Sequence, residues 1–135
     1  MRVLAVDLGD ARTGLALSDP SGTLVGRAWT VAEWDMERLA QTVADAAAEH
    51  GAGRIVLGYP KNMDGSIGPR AEKSEAFSLR IQALSDVPVI LWDERRTTVA
   101  AEHILLDAGR RGKKKKQVVD AVAASLILEG YLRSL

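Results

Sequence analysis

The sequence predicts a mixed α/β fold, a five-stranded sheet with helices on both faces. Residues 2–31 contain three apolar, strand-like segments joined by short turns rich in Gly, Pro and Asp, which is typical of antiparallel hairpins. Two further buried strands follow, each preceded by a segment whose apolar residues have helical spacing. Because helical crossovers favour parallel pairing, we expect three antiparallel strands followed by two parallel ones.

Each predicted strand is a short apolar run bounded by turn residues. The turns at residues 9–12 and 19–22 separate the first three strands, and their Gly, Pro and Asp content suits hairpins. The loop at 59–69 follows the fourth strand and is rich in Gly, Pro, Asn and Asp. The predicted strands cover residues 2–7, 13–18, 24–31, 54–58 and 87–92.

The predicted helices are recognised by their caps and by their apolar spacing. The first begins at Asp35, whose carboxylate can accept from free backbone amides, and ends at His50 before Gly51. The third predicted helix ends before Gly109 and leads into a basic loop. The remaining helices are expected over residues 70–84, 97–107 and 117–133, with the basic loop at 109–116.

Composition predicts a single soluble domain over residues 1–135. The chain is 47% hydrophobic and 27% charged, which is ordinary for a globular protein. Its 18 basic and 18 acidic residues cancel, so bulk charge does not indicate a nucleic-acid partner. The absence of cysteine excludes disulfides and thiolate metal sites. With no signal-like or membrane-length apolar segment, we expect a cytoplasmic protein without a membrane partner.

Three acids occupy positions that suggest a metal site. Asp7 ends the first strand, Glu94 follows the fifth, and Asp120 lies in an otherwise apolar helical segment. Buried carboxylates need pairing, hydrogen bonds or a metal, and hard divalent cations prefer oxygen ligands. Two such ions about 4 Å apart can activate water and relieve charge on a leaving oxygen during phosphodiester hydrolysis. The expected catalytic and metal-binding residues are Asp7, Glu94 and Asp120, with Mg²⁺ or Mn²⁺ as cofactor.

Each acid also has an ordinary structural explanation. Asp7 could cap a turn, as strand-end aspartates often do. Glu94 could form a surface ion pair with Arg95 or Arg96. Asp120 could lie near a helix N-terminus, where the helix dipole favours a negative charge. These explanations are individually sufficient, and the metal hypothesis depends on the three acids occurring together.

Residues around the acids are candidates for contact with a phosphate backbone. Gly9 could let a phosphate or a metal approach the backbone, or could simply allow a positive φ angle. Arg12 and Arg95 suit bidentate phosphate contacts. Thr97 is best explained as a helix N-cap, and a phosphate could bind at the same helix end.

Two segments carry further candidates for substrate binding. The loop after the fourth strand could contact a scissile backbone, or could be a turn whose polar side chains bond their own backbone. The basic loop could be a solvated loop or a clamp that closes on phosphates. The candidates are Asn62, Asp64 and Ser66 in the first segment and Lys113, Lys114, Lys115 and Lys116 in the second.

Four motifs together resemble one known family. They are Asp7-Leu8-Gly9, the segment from Gly58 to Ser66 that contains Asn-Met-Asp-Gly, Asp93-Glu94-Arg95 with Thr97-Thr98, and the helical segment from Val119 to Ala124. In this order and spacing they resemble the YqgF/RuvX family of Holliday-junction-resolvase-like nucleases, also described as pre-16S rRNA processing nucleases. The resemblance implies a ribonuclease-H-like fold and favours a functional role for the Asn62 loop.

The resemblance implies a metal-dependent nuclease acting on structured RNA or branched DNA, as a monomer or homodimer. One alternative is a nucleic-acid-binding accessory factor of the same fold with weak or no catalysis. A second is a nucleotide-binding phosphate-transfer enzyme, because an Asp-x-Gly turn also opens the phosphate sites of sugar kinases and actin-like ATPases. Those proteins need a duplicated second domain, which disfavours this alternative for 135 residues.

Overall fold

The computed structural model describes residues 1–93 and 112–135, with side chains described for 1–93 and 119–135. Within these residues no helix combines the length and the apolar character that a membrane span requires. The strands are β1 (Arg2–Asp7), β2 (Arg12–Ser18), β3 (Val25–Ala32), β4 (Ala52–Tyr59) and β5 (Val89–Asp93). The helices are α1 (Met36–Glu49), α2 (Pro69–Leu84) and α3 (Gly112–Arg133).

The five strands form one mixed sheet in the order β3-β2-β1-β4-β5. β1 and β3 both run antiparallel to β2, whereas β4 is parallel to β1 and β5 is parallel to β4. The predicted topology is therefore confirmed. Parallel pairing brings the last residues of β1, β4 and β5 to one edge of the sheet, at Asp7, Tyr59 and Asp93. We call this the carboxyl edge.

Helices cover both faces of the sheet, as predicted, and each face has its own apolar core. Leu4 and Val6 of β1 point to the core under α1 and α2, where Phe77 is fully buried. Val3 and Ala5 point to the opposite core, under α3. This division follows from the two-residue period of a strand, which sends successive side chains to opposite faces.

The first helix starts where the sequence predicts. The Asp35 side chain accepts hydrogen bonds from the backbone amides of Glu37 and Arg38 at 2.9 and 3.1 Å. These bonds satisfy two of the amides that have no partner inside the helix. At the other end His50 caps the helix and Gly51 takes a positive φ of 64°.

The start of the last helix corrects the sequence prediction. α3 begins at Gly112 rather than at 117, so the backbone of Lys113 to Lys116 is helical and does not form the expected loop. Lysine is a good helix former, but the run of like charges suggested a solvated loop rather than a helix. Asp120 consequently lies more than two turns inside α3, which removes the helix-dipole explanation for it. The predicted helix at 97–107 falls outside the described residues.

Candidate functional site

Asp7 and Asp120 lie side by side at the carboxyl edge although they are far apart in sequence. Asp7 pairs with Gly14 of β2 in the antiparallel ladder. A Cβ atom on Gly14 would overlap the backbone carbonyl oxygen of Asp120. The missing side chain therefore lets α3 approach β2 directly beside Asp7. The backbone, rather than a flexible side chain, brings the two acids together.

Strand alternation places Asp7 on the face that α3 covers. Val3 and Ala5 belong to the core under α3, and Asp7 continues their alternation along β1. Asp120 approaches the sheet from the same side. The two carboxylates thus share one face of the carboxyl edge.

Both acids resist ionisation in this environment. The pKa of Asp7 is raised from 3.8 to about 7, chiefly by burial and also by the negative charge of Asp120, while Arg70 opposes the rise. Burial also raises the pKa of Asp120, and the neighbouring Arg12 opposes that rise. A cation between two such carboxylates would relieve both their desolvation and their repulsion. The electrostatics therefore favour a bound cation.

Arg12 contacts Asp120 directly. Its Nε lies 3.5 Å from Oδ2 of Asp120, and the two side chains are 23% and 24% exposed. This distance makes an ion pair rather than a well-formed hydrogen bond. Among the described residues, Nε of Arg12 is a buried nitrogen with no hydrogen-bond partner. Arg12 thus holds Asp120 in place and retains donor capacity for an anion at the site.

The turn after β1 fixes the position of Arg12. The Gly9 amide donates to Oγ1 of Thr13 at 3.3 Å, and a Cβ atom on Gly9 would overlap the carbonyl oxygen of Arg12. Gly9 does not have a positive φ, so the conformational explanation for this glycine is wrong. It is needed because the chain folds back closely on itself between Asp7 and Arg12.

The loop between β4 and α2 is a turn held by its own polar groups. Asn62 Nδ2 donates to Oγ of Ser66 at 3.0 Å, and the Ser66 hydroxyl and amide both donate to Oδ1 of Asp64, at 2.6 and 2.9 Å. Gly65 supplies the positive φ of 86° that this turn requires. All three predicted side chains are exposed in the loop that follows the carboxyl end of β4.

Several predicted site residues fall outside the described part of the chain. Glu94, Arg95 and Thr97 are among them, and so are the side chains of Lys113, Lys114, Lys115 and Lys116. Among the described residues, no group of three or more His, Cys, Asp or Glu could hold a metal ion. Asp7 and Asp120 are two members of the predicted trio, and their carboxylate oxygens are the donors that Mg²⁺ and Mn²⁺ prefer.

The sequence interpretation missed the first turns of α2. Lys73 Nζ donates to Oδ1 of Asp10 at 2.6 Å, which joins α2 to the turn after β1. The hydrogen bond and charge of Lys73 lower the pKa of Asp10, and the charge of Arg70 adds to the lowering. Two basic residues in the opening turns of a helix that follows a carboxyl-end loop could have indicated this contact. The sequence interpretation used that segment only to place a helix.

Comparison with known proteins agrees with these observations. The sequence matches the family described as "RuvX: Holliday junction resolvase" over residues 1–134. It is 44% identical to a protein of Acetivibrio thermocellus named "Putative pre-16S rRNA nuclease", over 99% of this chain and 96% of that one. A protein of Bacillus subtilis with the same name is 42% identical, over 100% of this chain and 99% of the other.

The fold agrees with that of a solved structure of RuvC. The structure of Thermus thermophilus RuvC in complex with a Holliday junction substrate matches with a TM-score of 0.64, over 99% of this chain and 96% of that one. The identity of 15% limits this likeness to the fold, and it confirms the predicted ribonuclease-H-like class. Given the match over residues 1–134 and the full-length relatives, the chain belongs to the RuvX family.

Proposed function

We propose that this protein is a divalent-metal-dependent nuclease that hydrolyses phosphodiester bonds in structured nucleic acid. The observation that carries the proposal is the pairing of Asp7 with Asp120 at the carboxyl edge, where both pKa values are raised. The names of its relatives favour pre-16S rRNA as substrate, and the family description favours branched DNA as a second one. Within pre-16S rRNA we propose processing of the 5′ end. Processing of rRNA would place the protein in the cytoplasm.

Asp7, Glu94 and Asp120 would hold Mg²⁺ or Mn²⁺, which would supply an activated water and relief of charge on the leaving oxygen. The case for Glu94 rests on strand alternation. Ile90 and Trp92 of β5 pack against the core under α3, and Glu94 is the next position of the same parity. We therefore propose Glu94 rather than Asp93 as the third ligand.

The remaining site residues would orient the acids and the substrate. Arg12 holds Asp120 through its ion pair, and its unused donors suit a phosphate oxygen. Because burial and Asp120 raise the pKa of Asp7 to about 7 in the metal-free protein, uptake of a metal below that pH would displace the proton of Asp7. At limiting metal concentration, activity should therefore fall as the pH is lowered below 7.

A cleavage assay tests the proposal. The substrates are a labelled transcript carrying the 5′ extension of 16S rRNA and a labelled four-way DNA junction, each incubated with Mg²⁺, Mn²⁺ or chelator. We expect cleavage only with metal, and loss of cleavage in Asp7→Asn and Asp120→Asn. Asp45→Asn is the matched control, because Asp45 is an exposed acid on α1 that accepts from Gln41 at 2.8 Å.

Two outcomes would contradict the proposal. Binding of both substrates without cleavage under any metal would identify the accessory binding factor of the same fold. Cleavage that persists in chelator and in Asp7→Asn would show that the paired acids do not carry the reaction.

A further inference from the structure

We propose that Arg70, in the first turn of α2, binds a backbone phosphate of the substrate strand at the carboxyl edge. The inference rests on the proposed nuclease function and deepens it, since it assigns a substrate contact on the side of the edge opposite to α3. No motif in the sequence singles out this residue.

An ion pair one helical turn further on shows which way Arg70 faces. Lys73 donates to Asp10 at 2.6 Å, and Asp10 lies in the turn that directly follows Asp7 and β1. Residues three apart on a helix share a face. Arg70 therefore faces the same turn as Lys73, with Asp7 at its base.

Arg70 differs from the other two basic side chains of α2 in what it contacts. Lys73 is paired with Asp10, and Arg80 is paired with Glu37. In the described part of the chain, Arg70 is exposed and makes no ion pair or hydrogen bond. Its positive charge nevertheless acts on two acids: it opposes the rise in the pKa of Asp7 and adds to the lowering of the pKa of Asp10. It is a guanidinium with no partner of its own in the described part of the chain, and it lies near Asp7 and Asp10.

The two arginines of the site would contact successive parts of one strand. Arg12 lies on the α3 side, where it is partly buried and engaged with Asp120. Arg70 lies on the α2 side and is open to solvent. A strand whose scissile phosphate sits at Asp7 and Asp120 has a neighbouring phosphate beyond the edge. A guanidinium suits that phosphate because it can donate two parallel hydrogen bonds.

The test measures binding in the absence of cleavage. The probe is the labelled 5′-extended 16S rRNA transcript, titrated in chelator at several salt concentrations and followed by fluorescence anisotropy. We expect Arg70→Gln to weaken binding roughly tenfold at low salt, as for one lost charged hydrogen bond. The slope of log K against log salt should become shallower by about 0.7 to 0.9, the contribution of one phosphate. Arg70→Lys should keep the slope.

The matched control is Arg80→Gln. The substitution changes the net charge by the same amount. Arg80 is on the same helix, about 15 Å further along its axis, and is paired with Glu37. We expect it to bind like the wild type. Equal effects in Arg70→Gln and Arg80→Gln would overturn the proposal, and so would a lowered melting temperature that accounts for the loss in Arg70→Gln.

The same variants separate this inference from the proposed function. If the wild type binds with an Arg70-dependent salt slope but never cleaves, the nuclease function is wrong and the phosphate contact stands. If it cleaves while Arg70→Gln binds and cleaves like Arg80→Gln, the phosphate contact is wrong and the nuclease function stands. A wild type that neither binds nor cleaves the transcript or the DNA junction would overturn both.

Discussion

Asp7 and Asp19 occupy similar positions in sequence and opposite environments in the structure. Asp7 is the last residue of β1 and Asp19 directly follows β2, and each precedes a turn. The Asp19 carboxylate accepts from the Ser21 hydroxyl at 2.6 Å and from the Thr23 and Leu24 amides at 2.8 and 3.1 Å. Within the described residues the Asp7 carboxylate accepts no hydrogen bond and faces Asp120 instead.

The two pKa shifts follow from this difference. The hydrogen bond from Ser21, followed by those from the backbone, holds the pKa of Asp19 well below its usual range. Burial and a neighbouring acid raise the pKa of Asp7 to about 7. A strand-end aspartate supplied with donors by its own turn stabilises the fold. One that lacks donors and faces a second acid is suited to bind a cation.

The largest expected difference between the two aspartates is in cleavage. Asp7→Asn should reduce metal-dependent cleavage at least about a thousandfold, because a lost metal-holding oxygen removes several kcal/mol of transition-state stabilisation. Asp19→Asn should leave the rate per folded molecule unchanged. Single-turnover cleavage of the labelled transcript measures the rate of each variant. Equal losses of rate in the two variants would show that Asp7 and Asp19 do not differ in function.

The second expected difference is in the pH dependence of stability, measured by urea unfolding in chelator from pH 3 to 8. The folded pKa of Asp7, about 7, lies above the ordinary 3.8. The contribution of protonated Asp7 to the free energy of unfolding is therefore fully present below pH 3.8 and is lost as the pH rises to 7. Relative to Asp7→Asn, the wild type should lose at most about 4 kcal/mol over that range.

Asp19 should behave in the opposite way. Its folded pKa is lowered, so its stabilisation is present above pH 3.8 and is lost as the pH falls below that value. The stability difference between the wild type and Asp19→Asn should therefore shrink on acidification. A stability difference that changes in the same direction with pH for both variants would show that the two carboxylates do not differ as described.

The third and smallest difference concerns two glycines that allow close backbone contacts. Gly14→Ala should destabilise the fold by about 1–3 kcal/mol through overpacking against Asp120, and should also lower cleavage because Asp120 is displaced. Gly22→Ala, at a positive φ of 73° in the Asp19 turn, should destabilise by about 1–2 kcal/mol without affecting cleavage per folded molecule.

Gly26→Ala serves as the control for both glycine variants. A Cβ atom at this position would make only ordinary contacts, at 3.5 Å or more. We expect its stability and its cleavage rate to match the wild type. If Gly14→Ala also matched the wild type in both respects, the close approach of α3 to β2 would not be what positions Asp120.

The sequence predicts the fold well because the information for it is local. The Asp35 cap forms its hydrogen bonds within three residues, and the hairpin turns carry their own Gly, Pro and Asp. The start of α3 could not be located in the same way. The run from Lys113 to Lys116 is compatible with both a loop and a helix, and only the structure distinguishes them.

The site is less accessible to sequence interpretation because its contacts are long-range. Asp7 and Asp120 can each be recognised from the sequence as a candidate metal ligand, but their proximity depends on the absence of a side chain at Gly14. The direction in which Arg70 faces is seen from the ion pair between Lys73 and Asp10, which joins two elements far apart in sequence. Basic residues at the start of α2 could suggest such a contact, but no sequence spacing identifies its partner.

The most direct test of the cation site is calorimetric titration with Mn²⁺ at pH 7 in the absence of nucleic acid. The proteins are the wild type, Asp7→Asn, Asp120→Asn and Asp19→Asn. If Asp7 and Asp120 form the site, the wild type and Asp19→Asn bind Mn²⁺ with similar affinity, and Asp7→Asn and Asp120→Asn lose at least about tenfold. Undiminished binding in Asp7→Asn and Asp120→Asn would contradict this account.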